Sequence, residues 1–359
     1  LNGGLGTSMG CSGPKSLIQI SEDGCCFLDY IIQSFNLNSN AADLIFLNSF
    51  NTSSQTKDFL ATHYSDLDWH ELYQHSFKKV CANSLTPLAN DSHTAYNPPG
   101  HGSVFYDLYH SGLLSSLLDK GVDYIFISNA DNLAASLDNK IISYLSASEC
   151  PFLIELTPKT SADVKGGTLI NYDGNLKLWE IAQVADDQHD MFMNQPYFNT
   201  NNIWVSVSGL KTVIESNQLR LDLIQNKKSA RDGAFIQMEY AMGSAIQSFP
   251  GAMGMIVPRT RFFPVKRTSD LLLLMSDFCT WNSSGQLVWD ETRQPSISLG
   301  EPFNNIDDFF RLFSVIPSIK NTSSISLTGE VLFDIPVTFD GDVVITNQSS
   351  QIKSIQSYF

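Results

Sequence analysis

The chain of 359 residues carries 37 acidic and 22 basic side chains, which gives it a formal net charge of -15. This acidic balance argues against nucleic acid and anionic membranes as partners, because both attract basic surfaces. The length and the hydrophobic fraction of 43% allow one large globular domain and a smaller one. The six cysteines lack metal-ligand spacing and no apolar run reaches the length of a membrane span, so we expect a reducing, cytoplasmic compartment.

The chain opens with a glycine-rich loop, LNGGLGTSMGCSGPKS. Its five glycines let the backbone turn and bring N–H groups close to a ligand, as a phosphate-binding loop requires. Pro14 separates Gly13 from Lys15, which excludes a P-loop, and the glycine spacing from Gly4 is too long for a dinucleotide fingerprint. We interpret the stretch as a phosphate-binding loop ending in Lys15, with a solvated surface loop as the alternative. Because Leu1 already lies inside the motif, we expect residues upstream to be missing.

After this loop, predicted strands and helices alternate. Apolar runs predict a short strand at Leu17-Ile18, a buried strand at Leu44–Leu47 and a central sheet strand at Tyr124–Ile127. A helix is predicted around Phe27–Phe35, and an apolar repeat at every fourth residue over 105–117 predicts a further one. Such alternation is typical of an α/β fold.

Polar residues at the ends of these elements are the first candidates for a site. His101 lies between two glycines in the segment NPPGHG, an arrangement that displays the imidazole in a loop, although a satisfied core histidine is the commoner case. Asn129 and Asp131 follow the predicted sheet strand at its carboxyl end, where ligands bind in open α/β sheets. The carboxylate of Asp131 suits Mg²⁺ held against phosphate oxygens, and capping of the next helix is the alternative.

Three further segments are candidates for contacts with a ligand. Gly166 and Gly167 allow close approach of a ligand and precede a predicted hairpin that turns at Asp173-Gly174. The amide-rich segment 198–204 suits a neutral polyol, because amides both donate and accept, but such clusters also form simple turns. Residues 257–270 include four cations in an acidic protein, so we prefer a functional role there to a solvated loop.

The C-terminal residues repeat every six positions from Gly329, in the sequence GEVLFDIPVTFDGDVVIT. A six-residue repeat is typical of a parallel β-helix, and three hexads make about one turn. The in-phase apolar positions are Val331, Val337 and Val343, and Phe333, Phe339 and Ile345. Because stacked turns are needed to bury such a face, we expect this β-helix to be truncated or supported by the amphipathic helix around Ile306.

These motifs, in this order, resemble those of the eukaryotic-type UTP-glucose-1-phosphate uridylyltransferases, also called UDP-glucose pyrophosphorylases. The resemblance covers nearly the whole chain. It implies a Rossmann-like, GT-A-like mixed sheet in a catalytic domain over residues 1–300, and a short left-handed parallel β-helix within residues 301–359. In several members of the family this C-terminal part forms oligomer contacts, so a homo-oligomer is implied as well.

The resemblance also implies a role for each candidate residue. Gln74, in the segment LYQHSF, would read the uracil edge with its carboxamide, with His75 as the alternative register. Lys15 and Lys266 would be catalytic, and Asp131 would hold Mg²⁺. The residues implied for nucleotide binding are Leu1, Asn2, Gly3, Gly4, Lys15, Gln74, Gly100, Asp131 and Lys266. Those implied for the sugar phosphate are His101, Asn129, Gly167, Glu180 and Asn201.

The expected reaction is therefore transfer of a uridylyl group from UTP to glucose-1-phosphate, which forms UDP-glucose and pyrophosphate. One departure from the family pattern is Ser103, which stands where an aspartate often follows the glycine-histidine motif. Two alternatives remain open from the sequence. The first is an enzyme with a different or broader sugar-1-phosphate specificity, and the second is a catalytically silent homologue that acts as a binding subunit.

Overall fold

The computed structural model describes residues 1–38, 42–160, 162–163, 165–230 and 233–359, which form a mixed α/β protein. Its α-helices are Phe27–Asn38 (α1), Ser53–His63 (α2), Val104–His110 (α3), Leu113–Asp119 (α4), Asn139–Ser148 (α5), His189–Met193 (α6), Val207–Glu215 (α7), Thr268–Met275 (α8) and Ile306–Leu312 (α9). No helix in the described part of the chain has both the length and the apolar character needed to cross a membrane.

The strands up to residue 206 are Ile45–Asn48 (β1), His70–Tyr73 (β2), Phe77–Lys78 (β3), Val80–Cys81 (β4), Tyr96–Asn97 (β5), Tyr124–Ile127 (β6), Phe152–Pro158 (β7), Gly167–Tyr172 (β8), Asn175–Glu180 (β9) and Tyr197–Ser206 (β10). The later strands are Leu223–Ala230 (β11), Gly233–Tyr240 (β12), Met253–Ile256 (β13), Thr280–Trp281 (β14), Leu287–Val288 (β15), Ser296–Leu299 (β16), Ser318–Thr328 (β17), Val331–Leu332 (β18), Thr338–Thr346 (β19) and Lys353–Ser354 (β20).

The chain divides into two compact units, neither of which is continuous in sequence. The first unit comprises Leu1–Gly3, Asp43–Asn129 and Leu137–Arg259, and the second comprises Gly4–Ala42, Ala130–Ser136 and Thr260–Phe359. Each unit has its own hydrophobic core. The predicted boundary at residue 300 separates a catalytic domain from a C-terminal segment. The second unit includes residues on both sides of residue 300, so this functional boundary stays a prediction.

A mixed four-stranded sheet in the order β13-β7-β10-β6 lies in the first unit. Strand β7 is parallel to β13 and antiparallel to β10, and its residues are almost all buried, as expected of a strand covered on both faces. In the described part of the chain β6 lies at the edge of this sheet, so the predicted central position of Tyr124–Ile127 is wrong. Its first three residues are only half-buried, which an apolar sequence does not reveal.

Two turns decide the local course of the chain in the first unit. The predicted hairpin is confirmed: β8 and β9 pair around Asp173 and Gly174, which both have positive φ angles, of 49° and 83°. The predicted single helix over 105–117 is wrong, because Gly112 adopts a left-handed φ of 79° and divides it into α3 and α4. Strands β1 and β2 pair in parallel on either side of α2 in the sequence, as in a βαβ unit.

The second unit combines helices with parallel strands. Strands β16, β17 and β19 form a parallel three-stranded sheet, and β18 pairs in parallel with β20. Aromatic side chains dominate the core beneath them, where Phe309 and Phe333 are fully buried on either side of Phe313. The predicted strand at Leu17-Ile18 is wrong, since Lys15–Leu17 forms a 3₁₀ turn that begins after Pro14.

Candidate active site

Lys15, Asp131 and Lys266 form a charge cluster in the second unit. The Lys15 ammonium lies 2.9 Å from Oδ2 of Asp131, and the Lys266 ammonium lies 2.7 Å from the same oxygen. The side chains of Lys15 and Asp131 are 14% and 13% exposed, whereas that of Lys266 is 54% exposed. Lys15 is thus enclosed, whereas about half of the Lys266 side chain is open to solvent.

Hydrogen bonds fasten the two segments that carry this cluster. The Val265 N–H donates to the carbonyl of Asp131 at 3.0 Å, and the Val265 carbonyl accepts from the Lys15 ammonium. The side chain of Asn132 accepts from the N–H of Phe263 at 2.8 Å. Hydrogen bonds therefore hold the segment that carries Lys266 against Asp131 and Asn132. The cluster does not depend on the ion pairs alone.

The cluster determines the charge of Asp131 and leaves one of its oxygens available. Burial raises the pKa of this carboxyl, but the charges of Lys266 and Lys15 outweigh burial and hold the pKa well below its usual range. Oδ1 is buried and has no hydrogen-bond partner among the described residues. Mg²⁺ takes one or two protein carboxylates together with substrate phosphates, so this oxygen fits such an ion. No group of three or more His, Cys, Asp and Glu residues in the described ranges is arranged for a metal.

The first residues of the glycine loop are fastened inside the first unit. The Leu1 backbone nitrogen donates to the carbonyl of Ser128 at 2.7 Å. The buried amide of Asn2 donates to Oδ1 of Asn48 at 2.8 Å and to Oγ1 of Thr56 at 2.9 Å. The Asn2 side chain thus positions the loop, and its backbone N–H donates to the carbonyl of Leu47 at 2.8 Å.

Gln74 lies beside Gly100 and Gly3, two other residues predicted to bind the nucleotide. Its Nε2 donates to the carbonyl of Gly100 at 2.8 Å and to Oγ of Ser103 at 3.0 Å. Because a carbonyl can only accept, this contact fixes the orientation of the amide and turns Oε1 toward Gly3, where a Cβ would collide with it. The structure brings Gly3, Gln74 and Gly100 together, whereas His75, the alternative register, is exposed to solvent.

The glycine-histidine motif packs against the end of strand β12. Gly100 has a φ of 82°, and a Cβ there would lie 2.8 Å from backbone atoms of Tyr240. Nδ1 of the half-buried His101 accepts a hydrogen bond from the N–H of Met242 at 3.0 Å. In the neutral ring the proton is therefore on Nε2. Gly100 is required by packing, and the segment that begins at Met242 orients the imidazole.

Asn129 and Asn201 lie just past the same end of the β6–β10 ladder. The last pair of that ladder is Ile127 with Ile203; Asn129 is two positions after Ile127, and Asn201 is two positions before Ile203. Asn201 has a positive φ of 60° and lies within a β-bulge of β10. Its N–H donates to Oδ1 of Asn199 at 3.0 Å, and its Oδ1 accepts from Nδ2 of Asn199 at 2.9 Å. The two amides of the predicted polyol site thus hold each other.

Gly167 and Glu180 face each other across the hairpin of β8 and β9. A Cβ on Gly167 would lie 2.8 Å from Oε1 of Glu180, so the carboxyl lies directly over the glycine. Burial raises the pKa of Glu180 to about 7. Oγ1 of Thr168 donates to the carbonyl of Tyr197 at 2.8 Å, which holds this hairpin against β10, the strand of Asn201.

Two features of the first unit were missed by sequence reasoning. The first is Met242, whose N–H donates to Nδ1 of His101 at 3.0 Å. Contacts made by a backbone N–H leave no residue pattern, so no signal could have found them. The second feature is Glu155, fully buried in β7, whose signal was a single acidic residue within an apolar strand.

The predicted residues thus fall into three groups. Gly3, Gln74, Gly100 and His101 form the first, together with the anchored Leu1 and Asn2. Asn129, Gly167, Glu180 and Asn201 form the second, and Lys15, Asp131 and Lys266 the third. Gly4 begins the second unit, and a Cβ on it would meet none of the described atoms within 4 Å.

A glycine loop that leads to a lysine, and two lysines on one carboxylate in an α/β protein, are typical of an enzyme that acts on phosphates. This is typical of the nucleotidyltransferases, which transfer a nucleotidyl group to a phosphate and depend on charge neutralisation in the transition state. A family profile described as UTP-glucose-1-phosphate uridylyltransferase matches residues 1–339. The chain belongs to this family, and the predicted family and enzyme class are confirmed.

Individual relatives agree with this assignment. A UTP-glucose-1-phosphate uridylyltransferase of Solanum tuberosum is 41% identical over 364 residues, which cover 97% of this chain and 76% of the relative. The enzyme of that name from Encephalitozoon cuniculi is 41% identical over 358 residues, covering 96% and 72%.

Solved structures with the same fold include a UDP-glucose phosphorylase of Trypanosoma brucei, with a TM-score of 0.90 and 37% identity over 99% of this chain and 81% of that one. A UDP-glucose pyrophosphorylase from Leishmania major, known in open and closed structures, has a TM-score of 0.90 and 32% identity over 99% and 82%.

Proposed function

We propose that this chain transfers a uridylyl group from UTP to glucose-1-phosphate. An oxygen of the sugar phosphate attacks the α-phosphorus of UTP, and a new phosphorus-oxygen bond forms. The bond from the α-phosphorus to the oxygen that bridges to the β-phosphate breaks, and pyrophosphate leaves with that electron pair. Because the sugar phosphate supplies the nucleophile, no protein nucleophile is needed, and catalysis consists of positioning and charge neutralisation.

The observation that carries this proposal is the cluster of Lys15 and Lys266 on Asp131. In an acidic protein these two cations are concentrated beside the glycine loop, as two repelling anionic substrates require. Lys15 stabilises the triphosphate and the charge that develops in the transition state, and Lys266 holds the attacking phosphate. Asp131 would hold Mg²⁺, which would neutralise phosphate charge when bound.

The residues of the first unit are proposed to bind the base and the sugar. Oε1 of Gln74 is an acceptor with a fixed direction, which suits the N3–H of uracil and not the N3 of cytosine, an acceptor itself. His101 carries its ring proton on Nε2, the state that donates to a phosphate oxygen. Asn129, Glu180 and Asn201, with the backbone of Gly167, supply the donors and acceptors that hexose hydroxyls need.

Finer features of fold and assembly belong to the proposal as well. We propose that the catalytic sheet is Rossmann-like, of the GT-A type, and that the C-terminal strands form a short left-handed parallel β-helix. The parallel pairing of β17 with β19 supports the latter, because Ile325 pairs with Val343 and Leu327 with Ile345, each partner three hexads further along the chain. Phe333, Phe339 and Ile345 are buried, as in-phase positions of a β-helix should be. Homo-oligomer contacts through this part and a cytoplasmic location complete the proposal.

Product analysis tests the proposed function. The protein is incubated with UTP, Mg²⁺ and glucose-1-phosphate, and UDP-sugars are separated by chromatography, with galactose-1-phosphate and N-acetylglucosamine-1-phosphate in parallel. We expect UDP-glucose to form fastest and a chelator to suppress its formation. Equal rates on the three sugars would favour the broader specificity. Binding of UTP in calorimetry without any product would favour the silent homologue.

A further inference from the structure

Glu155 is a fully buried acidic residue that none of the proposed steps uses. It lies in β7, and both of its carboxyl oxygens accept hydrogen bonds from β10. Oε1 accepts from Nε1 of Trp204 at 2.8 Å, and Oε2 accepts from Nδ2 of Asn202 at 3.0 Å. Burying a carboxyl costs desolvation free energy even when it is hydrogen-bonded. Apolar residues of the same volume often leave a core equally stable. Its presence in the middle of a sheet therefore calls for a role beyond packing.

The hydrogen bonds of Glu155 lie on both sides of Asn201. The Glu155 carbonyl accepts from Oγ1 of Thr200 at 2.7 Å, and Thr200 Oγ1 accepts from the N–H of Asn202 at 3.1 Å. Thr200 and Asn202 are 1% and 0% exposed, whereas Asn201 between them is only half-buried and has a φ of 60°. The two neighbours are fixed to one residue of the adjacent strand, and the residue between them is turned out of the strand.

We propose that Glu155 is a positioning residue that sets the direction of the Asn201 amide toward the hexose of glucose-1-phosphate. This inference rests on the proposed function, in which Asn201 contacts that sugar. A carboxyl group offers an acceptor on each side, but a glutamine at the same place offers one acceptor and one donor. Glu155→Gln therefore sets an NH₂ group against the N–H of Trp204 or the amide of Asn202, and the bulge loses its fixed shape.

The test compares Michaelis constants for the two substrates of the forward reaction. For Glu155→Gln we expect the KM for glucose-1-phosphate to rise about tenfold, the effect of one misplaced hydrogen bond, while the KM for UTP stays nearly unchanged. The exchange variant Glu155→Gln with Asn202→Asp places the amide and the carboxyl in each other's positions. It should restore the sugar KM, because the glutamine then donates to Asp and accepts from Trp204. Trp204→Phe is the matched control, since it removes a donor of the same carboxyl outside the bulge; it should lower stability and leave the sugar KM as it is.

The activity of the wild-type protein distinguishes failure of this inference from failure of the proposed function. If the wild type forms no UDP-sugar, the proposed function itself is contradicted, and the variants are not needed to show it. If the wild type is active, the inference is overturned when a folded Glu155→Gln protein has an unchanged sugar KM, when both KM values rise equally, or when the exchange variant restores nothing.

Discussion

Replacement of Lys15 by Met tests the phosphate cluster, because methionine keeps most of the side-chain volume and removes the charge. The Lys15 ammonium lies 2.9 Å from Asp131, but Lys266 lies 2.7 Å from the same oxygen and remains in the variant. The carboxylate is thus not left without a cation. We expect a loss of about 1–3 kcal/mol in the free energy of unfolding, as for charged hydrogen bonds, and not the larger cost of an unpaired buried charge.

The effect on catalysis should be of a different order. Removal of one group that stabilises developing transition-state charge lowers kcat by about 10²–10³-fold. Turnover is measured by a coupled assay for pyrophosphate, and folding by urea unfolding followed by circular dichroism. Lys140→Met, on the exposed surface of α5, is the matched control and should leave both quantities unchanged. Near-normal turnover of a folded Lys15→Met protein would refute the role of this lysine.

Substitutions at three further positions, two of them with a control substitution, test the first unit and the loop. Gln74→Ala should raise the KM for UTP about tenfold, whereas His75→Ala should not change it; the reverse result would favour the alternative register. Gly100→Ala should lower the free energy of unfolding by about 2 kcal/mol or more, because its φ of 82° and the facing strand leave no room for a Cβ, while Gly4→Ala should leave unfolding unchanged. Because burial raises the pKa of Glu180 to about 7 from an ordinary value of 4.5, the folded state binds this proton more tightly, and stability should fall as the pH rises from 4.5 to 7. Glu180→Gln should flatten that slope in urea unfolding, and an equal slope in the variant would contradict the assignment.

Local motifs carried most of what the sequence could predict. Three motifs each depend on a few neighbouring residues and can be recognised without a structure. They are the loop that ends in Lys15, the glycines around His101 and the acidic residue after β6. The hairpin at Asp173-Gly174 is of the same kind, because its turn requires positive φ angles at two positions. The family could therefore be predicted from short segments in a fixed order.

Features that depend on distant partners could not be predicted. Tyr124–Ile127 is apolar enough for a central strand, but only pairing across the sheet determines that it lies at an edge. Gly112 interrupts an apolar repeat that fits one helix, and a repeat does not reveal whether a glycine will adopt a left-handed φ. The carboxylate of Asp131 binds Lys15, which lies 116 positions earlier in the sequence, and Lys266, which lies 135 positions later. No local pattern records such a contact.

The most direct test of the account is the dependence of pyrophosphate release on the second substrate. The full chain is supplied with UTP and Mg²⁺, and release of pyrophosphate is followed as glucose-1-phosphate is added. The account predicts negligible release without the sugar phosphate, and with it release in equal amount to the UDP-glucose formed. Release that does not depend on glucose-1-phosphate would mean that water is the nucleophile, and it would contradict a site built to bring two phosphates together.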